Sequence, residues 1–431
     1  MTDPRRHPRW LPLRVVTGVL VCVHILLVLQ VVRQRPQGGP RQHSFAAQLY
    51  HDVAFTRGPG ADFFALYHAG VNARRGVSVF EANEIPTVTP YYYPYRYLPF
   101  TAATLGKLAA TLPPLAASKT WLLATELVLL ALVLATRRAF GGATLRLAAT
   151  AILLLSAPYW LELYLGQFTF VATALTCLAV LRLGARADMT IPTLLLTAGS
   201  LLKVFPLVVL PALLRSRPAR VAAVVTVAVV AGVNLPLFLS ESGSVDAFWS
   251  KNFLGEAVGL DAGNHGLLYV AYLLGEMVWG GWHLPTWGAV TILWRLAILG
   301  VTTAIVLRSP AARVETASAL LLIAHFVSYF QVWEHHMSGA IVAGILLCAG
   351  LERSGARHMI PMALVGTAAL ALPTPFGLLG PDPSGWSLLQ RLAPPLSKAI
   401  PLVLLYCVGV AAVRSAPLGE SATSTVRHGI A

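Results

Sequence analysis

IPTLLLTAGSLLKVFPLVVLPALL, residues 191–214, decides how this chain sits in its surroundings. One charge, Lys203, stands in the middle of it, three residues before Pro206. An unbroken helix over the stretch would be long enough to cross a bilayer. A lysine and a proline at its centre instead divide it into halves of about 20 Å each, at 1.5 Å of rise per residue. Arg182 and Arg186 precede it, and Arg215, Arg217 and Arg220 follow it. Basic clusters beside apolar segments collect on the cytoplasmic side, so both ends belong there. The stretch therefore reads as a hairpin that enters the membrane and returns, with Lys203 at its tip.

Outward from this hairpin the same pattern repeats. Further apolar windows of helical length fall at 13–32, 119–136, 144–159, 168–184, 221–239, 287–307, 314–331, 336–351, 358–373 and 396–413. Most are separated by short arginine clusters. Two more stretches, 97–112 and 266–280, contain polar residues and read as interfacial, re-entrant or spanning. With 56% hydrophobic and 12% charged residues, against about 25% charged in a soluble domain, the chain is expected to be an all-α polytopic membrane protein of roughly 10–13 transmembrane helices. Residues 1–414 read as a single membrane domain, with 33–118 as a long first outer loop carrying interfacial helices. Residues 415–431 read as a polar cytoplasmic tail. The basic N-terminus followed by an apolar run lacks a small-residue cleavage site, so it is expected to stay as an uncleaved first span with its N-terminus inside.

The net charge of +14 does not indicate nucleic acid, because the basic residues are scattered between apolar runs as topology signals. Cys22, Cys177, Cys348 and Cys407 all lie within apolar runs and suggest neither disulfides nor a thiolate metal site. No H-E-x-x-H occurs, and no internal repeat is visible.

This topology concentrates the acids on one side. Asp52, Asp62, Glu81, Glu84, Glu162, Asp246, Glu256, Asp261, Glu276, Glu334 and Asp382 all fall on outer segments. Among them Asp62 stands out, in GADFFALYHAG. Asp is a favoured helix cap, and a short amphipathic helix from about 62 to Gly76 is expected here. Phe63, Phe64 and Tyr67 would also partly desolvate it, which strengthens a carboxylate as a general base. YYYPYRYLPF, residues 91–100, has the tyrosines of an interfacial anchor, and its Arg96 suits a lipid phosphate. Lys203 either snorkels outward or binds an anion. In FQVWEHHMSG, residues 330–339, the adjacent His335 and His336 diverge by about 100° on a helix, which disfavours joint metal ligation and suits one to an anionic group while the other holds Glu334 or backbone. Gln167, Asn264 and His265 are ordinary loop-capping types that fall on the same outer side.

Taken in order, these segments resemble the GT-C membrane glycosyltransferases, and specifically glycosyltransferase family 87, which includes polyprenyl-phosphate-mannose-dependent mannosyltransferases of actinobacteria. Asp62, Phe63 and GVSVF at 76–80 are similar to the family's first motif, and YRYLP at 95–99 to its Y-x-Y-x-P. Gly166 and Gln167, Lys203 to Pro206, Asn264 to Leu267 and Trp333 to His336 follow in the family's order. Glu334 stands where Asp is more usual, His265 occupies a variable position, and the chain beyond about 350 matches only as membrane helices.

The resemblance implies a GT-C-type fold and a catalytic Asp62 in the first outer loop. It implies donor-phosphate contacts from Lys203, His335, His336 and Arg96, and substrate contacts from Tyr67, His68, Tyr95, Tyr97, Gln167, Asn264, His265 and Glu334. The partners implied are a polyprenyl-phosphate sugar, a lipid or glycan acceptor and the membrane lipids, at the outer face of a bacterial plasma membrane. No metal or other cofactor is expected, since a single phosphate leaves without the charge of a diphosphate. The rival readings are a lipid or solute transporter or flippase, disfavoured by the missing repeat and the one-sided acids, and an intramembrane protease, for which no nucleophile motif is present.

Overall fold

The structure, a computed structural model, describes residues 10–33, 58–81, 88–90, 92–183, 188–240, 245–250, 252, 263–279, 287–379 and 383–415. Asp52, Glu84, Glu256, Asp261, Asp382 and the polar tail beyond 415 lie outside these residues. Among the described residues the regular structure is helical, with no strand. Seven helical segments are long and apolar enough to cross a membrane: Arg14–Arg33, Pro114–Ala139, Ala143–Leu165, Arg217–Phe238, Ala289–Arg308, Glu334–Arg353 and Leu388–Arg414. Four shorter apolar helices accompany them. The protein is an all-α polytopic membrane protein.

The first helix, α1 (Trp10–Arg33), is the least enclosed, with Val15, Val19 and Leu26 turned outward. A polar clasp ties it to the rest. His24 Nδ1 lies 2.9 Å from the Leu154 carbonyl, and His24 Nε2 lies 2.9 Å from Glu126 Oε2. Tyr159 donates its hydroxyl to the other oxygen of Glu126 at 2.7 Å.

Helix α2 (Ala61–Arg75) is the amphipathic helix expected near residue 62, but Asp62 does not cap it. Gly60, in the left-handed region at φ 79°, holds the N-cap position, so Asp62 sits inside the first turn. The helix ends at Gly76, also left-handed at φ 74°. Beneath it runs α3 (99–109), whose middle, Ala102–Gly106, is a π turn. The two backbones touch, for a Cβ on Gly70 would fall 2.1 Å from Gly106 atoms. The doubtful stretch 97–112 is thus a short broken helix clamped to α2.

Helix α4 (Pro114–Ala139) leads to α5 (Ala143–Leu155) and α6 (Ala157–Leu165). The break between the last two is made by Ser156, which accepts from the Tyr159 N–H, and by Pro158 in the first turn. Helix α6 runs to Leu165 and the chain turns only at Gly166 (φ 67°), where a Cβ would meet that of Phe63 at 2.7 Å. Helix α7 (Thr169–Leu183) then runs beside α8 (Thr190–Leu202). The break at Lys203 is present: Lys203 is extended (φ −145°, ψ 140°), and a 3-10 turn at Phe205–Val209 and α9 (Leu210–Leu213) follow.

The second half contains α10 (Arg217–Phe238), α11 (Val245–Trp249), α12 (Leu267–Trp279), α13 (Trp287–Arg308), α14 (Val314–Ser328), the 3-10 turn Glu334–His336, α15 (Met337–Arg353), α16 (Ile360–Ala371) and α17 (Leu388–Arg414). Helix α15 is the axis of the core. It is buried on all sides from Met337 to Leu351 and packs against α7, α14 and α16. Helix α17 begins at Leu388, ahead of the apolar window read at 396–413. Ser387 and Gln390 start α17 with a reciprocal capping box, and Pro394, Pro395 and Pro401 lie inside the helix. Its packing against α14, α15 and α16 holds the helix through residues that would stop an isolated one.

Candidate active site

Asp62 is 4% exposed because α2 is enclosed from Ala61 through Gly70. Its N-terminus is fixed by the Gly60 N–H donating to Tyr164 O at 2.7 Å, and by Phe63 stacking on Trp121. Two side chains brace the helix from below. Tyr67 donates its hydroxyl to Leu112 O at 2.8 Å, and Arg74 donates to Ala110 O at 2.7 Å.

The chain reverses at Gly166 and presents Gln167. Its amide oxygen accepts from the Tyr97 hydroxyl and the Phe168 N–H, both at 2.8 Å. Its amide nitrogen lies 3.4 Å from His335 Nε2, an arrangement in which Gln167 donates and the imidazole accepts. The ring of His335 in turn lies 4.2 Å from that of His336. Burial, together with the charge of Asp62, pushes the Tyr97 hydroxyl well above its ordinary value, so Tyr97 remains a hydrogen-bond donor.

Lys203 points into this group rather than out to the surroundings. Its Nζ donates to Thr169 Oγ1 at 2.8 Å and lies 5.7 Å from the centre of the Tyr97 ring. Asp62 and Glu162 act on it electrostatically. Its charge is felt on another side by His325 and His336. Glu162 was not among the residues expected here. It is 1% exposed, accepts from the Phe170 N–H at 2.6 Å at the start of α7, and accepts from Ser338 Oγ at 2.7 Å. A carboxylate inside a run as apolar as APYWLELYL is the signal by which it could have been found.

One group therefore forms from distant segments: Asp62, Tyr97, Glu162, Gln167, Thr169, Lys203, His335 and His336. Arg96 is half-buried beside Tyr97. The other expected residues fall elsewhere. Tyr95 donates to Leu98 O at 2.6 Å and shapes the segment entering α3. His68 lies about 240° round α2 from Asp62, with its ring edge-on to Tyr92. Burial and the nearby Arg75 hold its imidazole below the usual value.

Asn264, His265 and Glu334 belong to a second cluster. Asn264 donates to Phe330 O at 2.9 Å and accepts from Val332 N at 3.2 Å, and the His265 N–H donates to Val332 O at 2.6 Å. These bonds fix the segment that enters the Glu334–His336 turn. Glu334 faces Lys398 at 3.4 Å and accepts from Thr374 N at 3.0 Å, so it is an anchor of that turn and not a member of the Asp62 group. Among the described residues no set of three His, Cys, Asp or Glu side chains has the arrangement of a metal site.

A buried carboxylate and an inward-turned ammonium, joined through neutral donors and a pair of imidazoles, form a site able to take a proton from one group and stabilise negative charge on another. No curated protein matches the chain, and no solved structure does. The family model of glycosyltransferase family 87 matches residues 95–333, more than half of the chain and all of the group above except Asp62 and the two histidines. The chain belongs to glycosyltransferase family 87 and is a membrane glycosyltransferase, acting on a sugar donor and an acceptor.

Proposed function

We propose that the donor is a polyprenyl-phosphate sugar, mannose in the first instance, and that the acceptor is a hydroxyl of a lipid or glycan at the outer face of a bacterial plasma membrane. The observation that supports the reading is the gathering of a buried carboxylate, Asp62, and an inward-turned ammonium, Lys203, about the Tyr97–Gln167–His335 relay.

In this reading the acceptor oxygen forms a bond to the anomeric carbon as its proton passes to Asp62. The bond from that carbon to the phosphate oxygen breaks, and polyprenyl phosphate leaves with the electron pair. The displacement inverts the anomeric centre. Phosphate is already a good leaving group, so the site needs a cation more than an acid. Lys203 supplies that charge, with His335, His336 and Arg96 at the phosphate edge. Glu162, held by the Phe170 N–H and Ser338, keeps Lys203 aimed at the site. The same cations take the place a divalent metal would fill.

The test is transfer of radiolabelled sugar from a panel of polyprenyl-phosphate sugars by purified protein. Asp62→Asn should remain folded and lose about 10³-fold in turnover, within the range of a general base. Full turnover by this variant would remove Asp62 from the role. Transfer should also persist in EDTA, and its abolition would overturn the metal-independent reading.

A further inference from the structure

Helix α13 carries an arginine, Arg295, near its centre, and a bilayer span tolerates such a charge only beside a partner or a polar cavity. Ile292, Leu293 and Leu296 around it are exposed apolar residues, so this helix lies at the outside of the bundle. Arg295 turns inward. Its guanidinium lies over the Tyr329 ring at 5.3 Å, and its Nη2 lies 3.4 Å from His325 Nδ1. No carboxylate pairs with it among the described residues. A guanidinium has five N–H donors, and among the described residues this one has a single long contact to a side-chain acceptor.

The group around it is continuous with the site. His325 stacks flat on Phe205 at 4.6 Å, two residues beyond Lys203, and feels the charges of both Arg295 and Lys203. Tyr329 packs edge-on against His336 at 5.8 Å. Trp294 donates to Val327 O at 3.3 Å and fixes α13 to α14 at this level. Asp62 and Glu162 both act electrostatically on Lys203, so that lysine's charge is shared with two carboxylates. A departing phosphate monoester adds about −1.5 to −2 at neutral pH. Arg295 brings a further cation to the His325 end of the group, with no carboxylate against it among the described residues.

We propose that Arg295, with His325 and Tyr329, docks the phosphate of the lipid-linked donor between itself and Lys203. The donor phosphate is thereby held at the side of the bundle that faces lipid, and its sugar extends toward Asp62. A guanidinium offers paired N–H groups to two phosphate oxygens, a geometry that lysine does not reproduce. This inference rests on the reading of a polyprenyl-phosphate donor.

The test uses the full chain in lipid nanodiscs, with farnesyl phosphate and farnesol as probes for equilibrium binding and polyprenyl-phosphate mannose for turnover. Arg295→Met should weaken farnesyl phosphate at least tenfold and leave farnesol unchanged. The donor KM should rise by a similar factor while the acceptor KM stays within twofold. Arg295→Lys should recover part of the loss, and Arg295→Gln replaces Met if that variant does not fold. Unchanged farnesyl phosphate binding by a folded Met or Gln variant would overturn the inference, as would an equal rise in both KM values. Failure of the wild-type protein to bind farnesyl phosphate would instead overturn the donor reading itself.

Discussion

Lys398 and Lys203 both turn their ammonium groups into the protein, and they are used in opposite ways. Lys398, on α17, has all three of its N–H groups engaged: it donates to Leu370 O at 3.1 Å, to Leu372 O, and toward Glu334 at 3.4 Å. Lys203, at the break after α8, has one hydrogen bond, to Thr169. Its remaining hydrogens face a cluster that holds two carboxylates and several neutral groups. Closure marks a structural ion pair, and open donor capacity marks a place where something else binds. The difference is in the backbone around each lysine. Lys398 lies beside the end of α16, where the carbonyls of Leu370 and Leu372 have no helical partner. Lys203 lies at a break held open by Pro206 and is surrounded by side chains rather than carbonyls.

Breaking each lysine in turn should separate the two roles. Lys398→Met leaves Glu334 buried without its partner and should cost about 3–5 kcal/mol of stability, with a matching loss of folded protein in detergent unfolding experiments. The double replacement with Glu334→Met should recover much of that loss. Lys203→Met should do the reverse, with unfolding close to wild type and turnover down about 10²-fold, the scale of losing one transition-state donor. Equal stability losses at both positions would erase the distinction.

His265 sharpens the comparison from the pH side. Its imidazole is buried beside Lys398 and donates from Nδ1 toward Pro394 O at 3.2 Å. Burial, and then the Lys398 charge, lower it to about 3. Its neutral form therefore contributes stability that is fully present above the unfolded-state value near 6.5 and is lost as pH falls toward 3. Between pH 7 and pH 5 this should amount to at most about 2 kcal/mol. His265→Gln should flatten the acid side of the unfolding profile, whereas an unaltered profile would place the acid sensitivity elsewhere. The smallest effect is expected at Tyr97. Removing its hydroxyl in Tyr97→Phe leaves Gln167 one partner short and should lower turnover about tenfold, equivalent to about 1.4 kcal/mol. A change above a hundredfold would make Tyr97 a direct participant.

What the sequence disclosed follows from the range over which each feature is determined. The break at Lys203 and Pro206, the turn at Gly166 and the end of α2 at Gly76 are local, set by backbone chemistry that a few residues display. The gathering of Asp62, Gln167, Lys203 and the two histidines was anticipated only as a common side, because no segment states its distance from another. The pairing of Glu334 with Lys398 joins residues from separate helices and left no local trace, so Glu334 read as a site residue. Arg295 was passed over because it stands singly inside an apolar run that otherwise reads as a span, and Glu162 because it was one of many acids on the outer side. The start of α17 carried conflicting signals, a capping box at Ser387 and a Pro-Pro pair six residues inside, and packing decided between them.

The clasp at His24 has a consequence for how the chain is made. Glu126 lies 102 residues after His24, and at about 5–20 residues per second of synthesis the histidine precedes its partner by roughly 5–20 s. During that interval α1 must carry an unpaired imidazole through the bilayer on its own hydrophobicity. It is equipped to do so, for its mean hydropathy of 2.7 is the highest of the seven candidate spans. The apolar excess of α1 thus serves the order of synthesis as well as the finished fold, and trimming it should show first as poor membrane insertion of newly made chains.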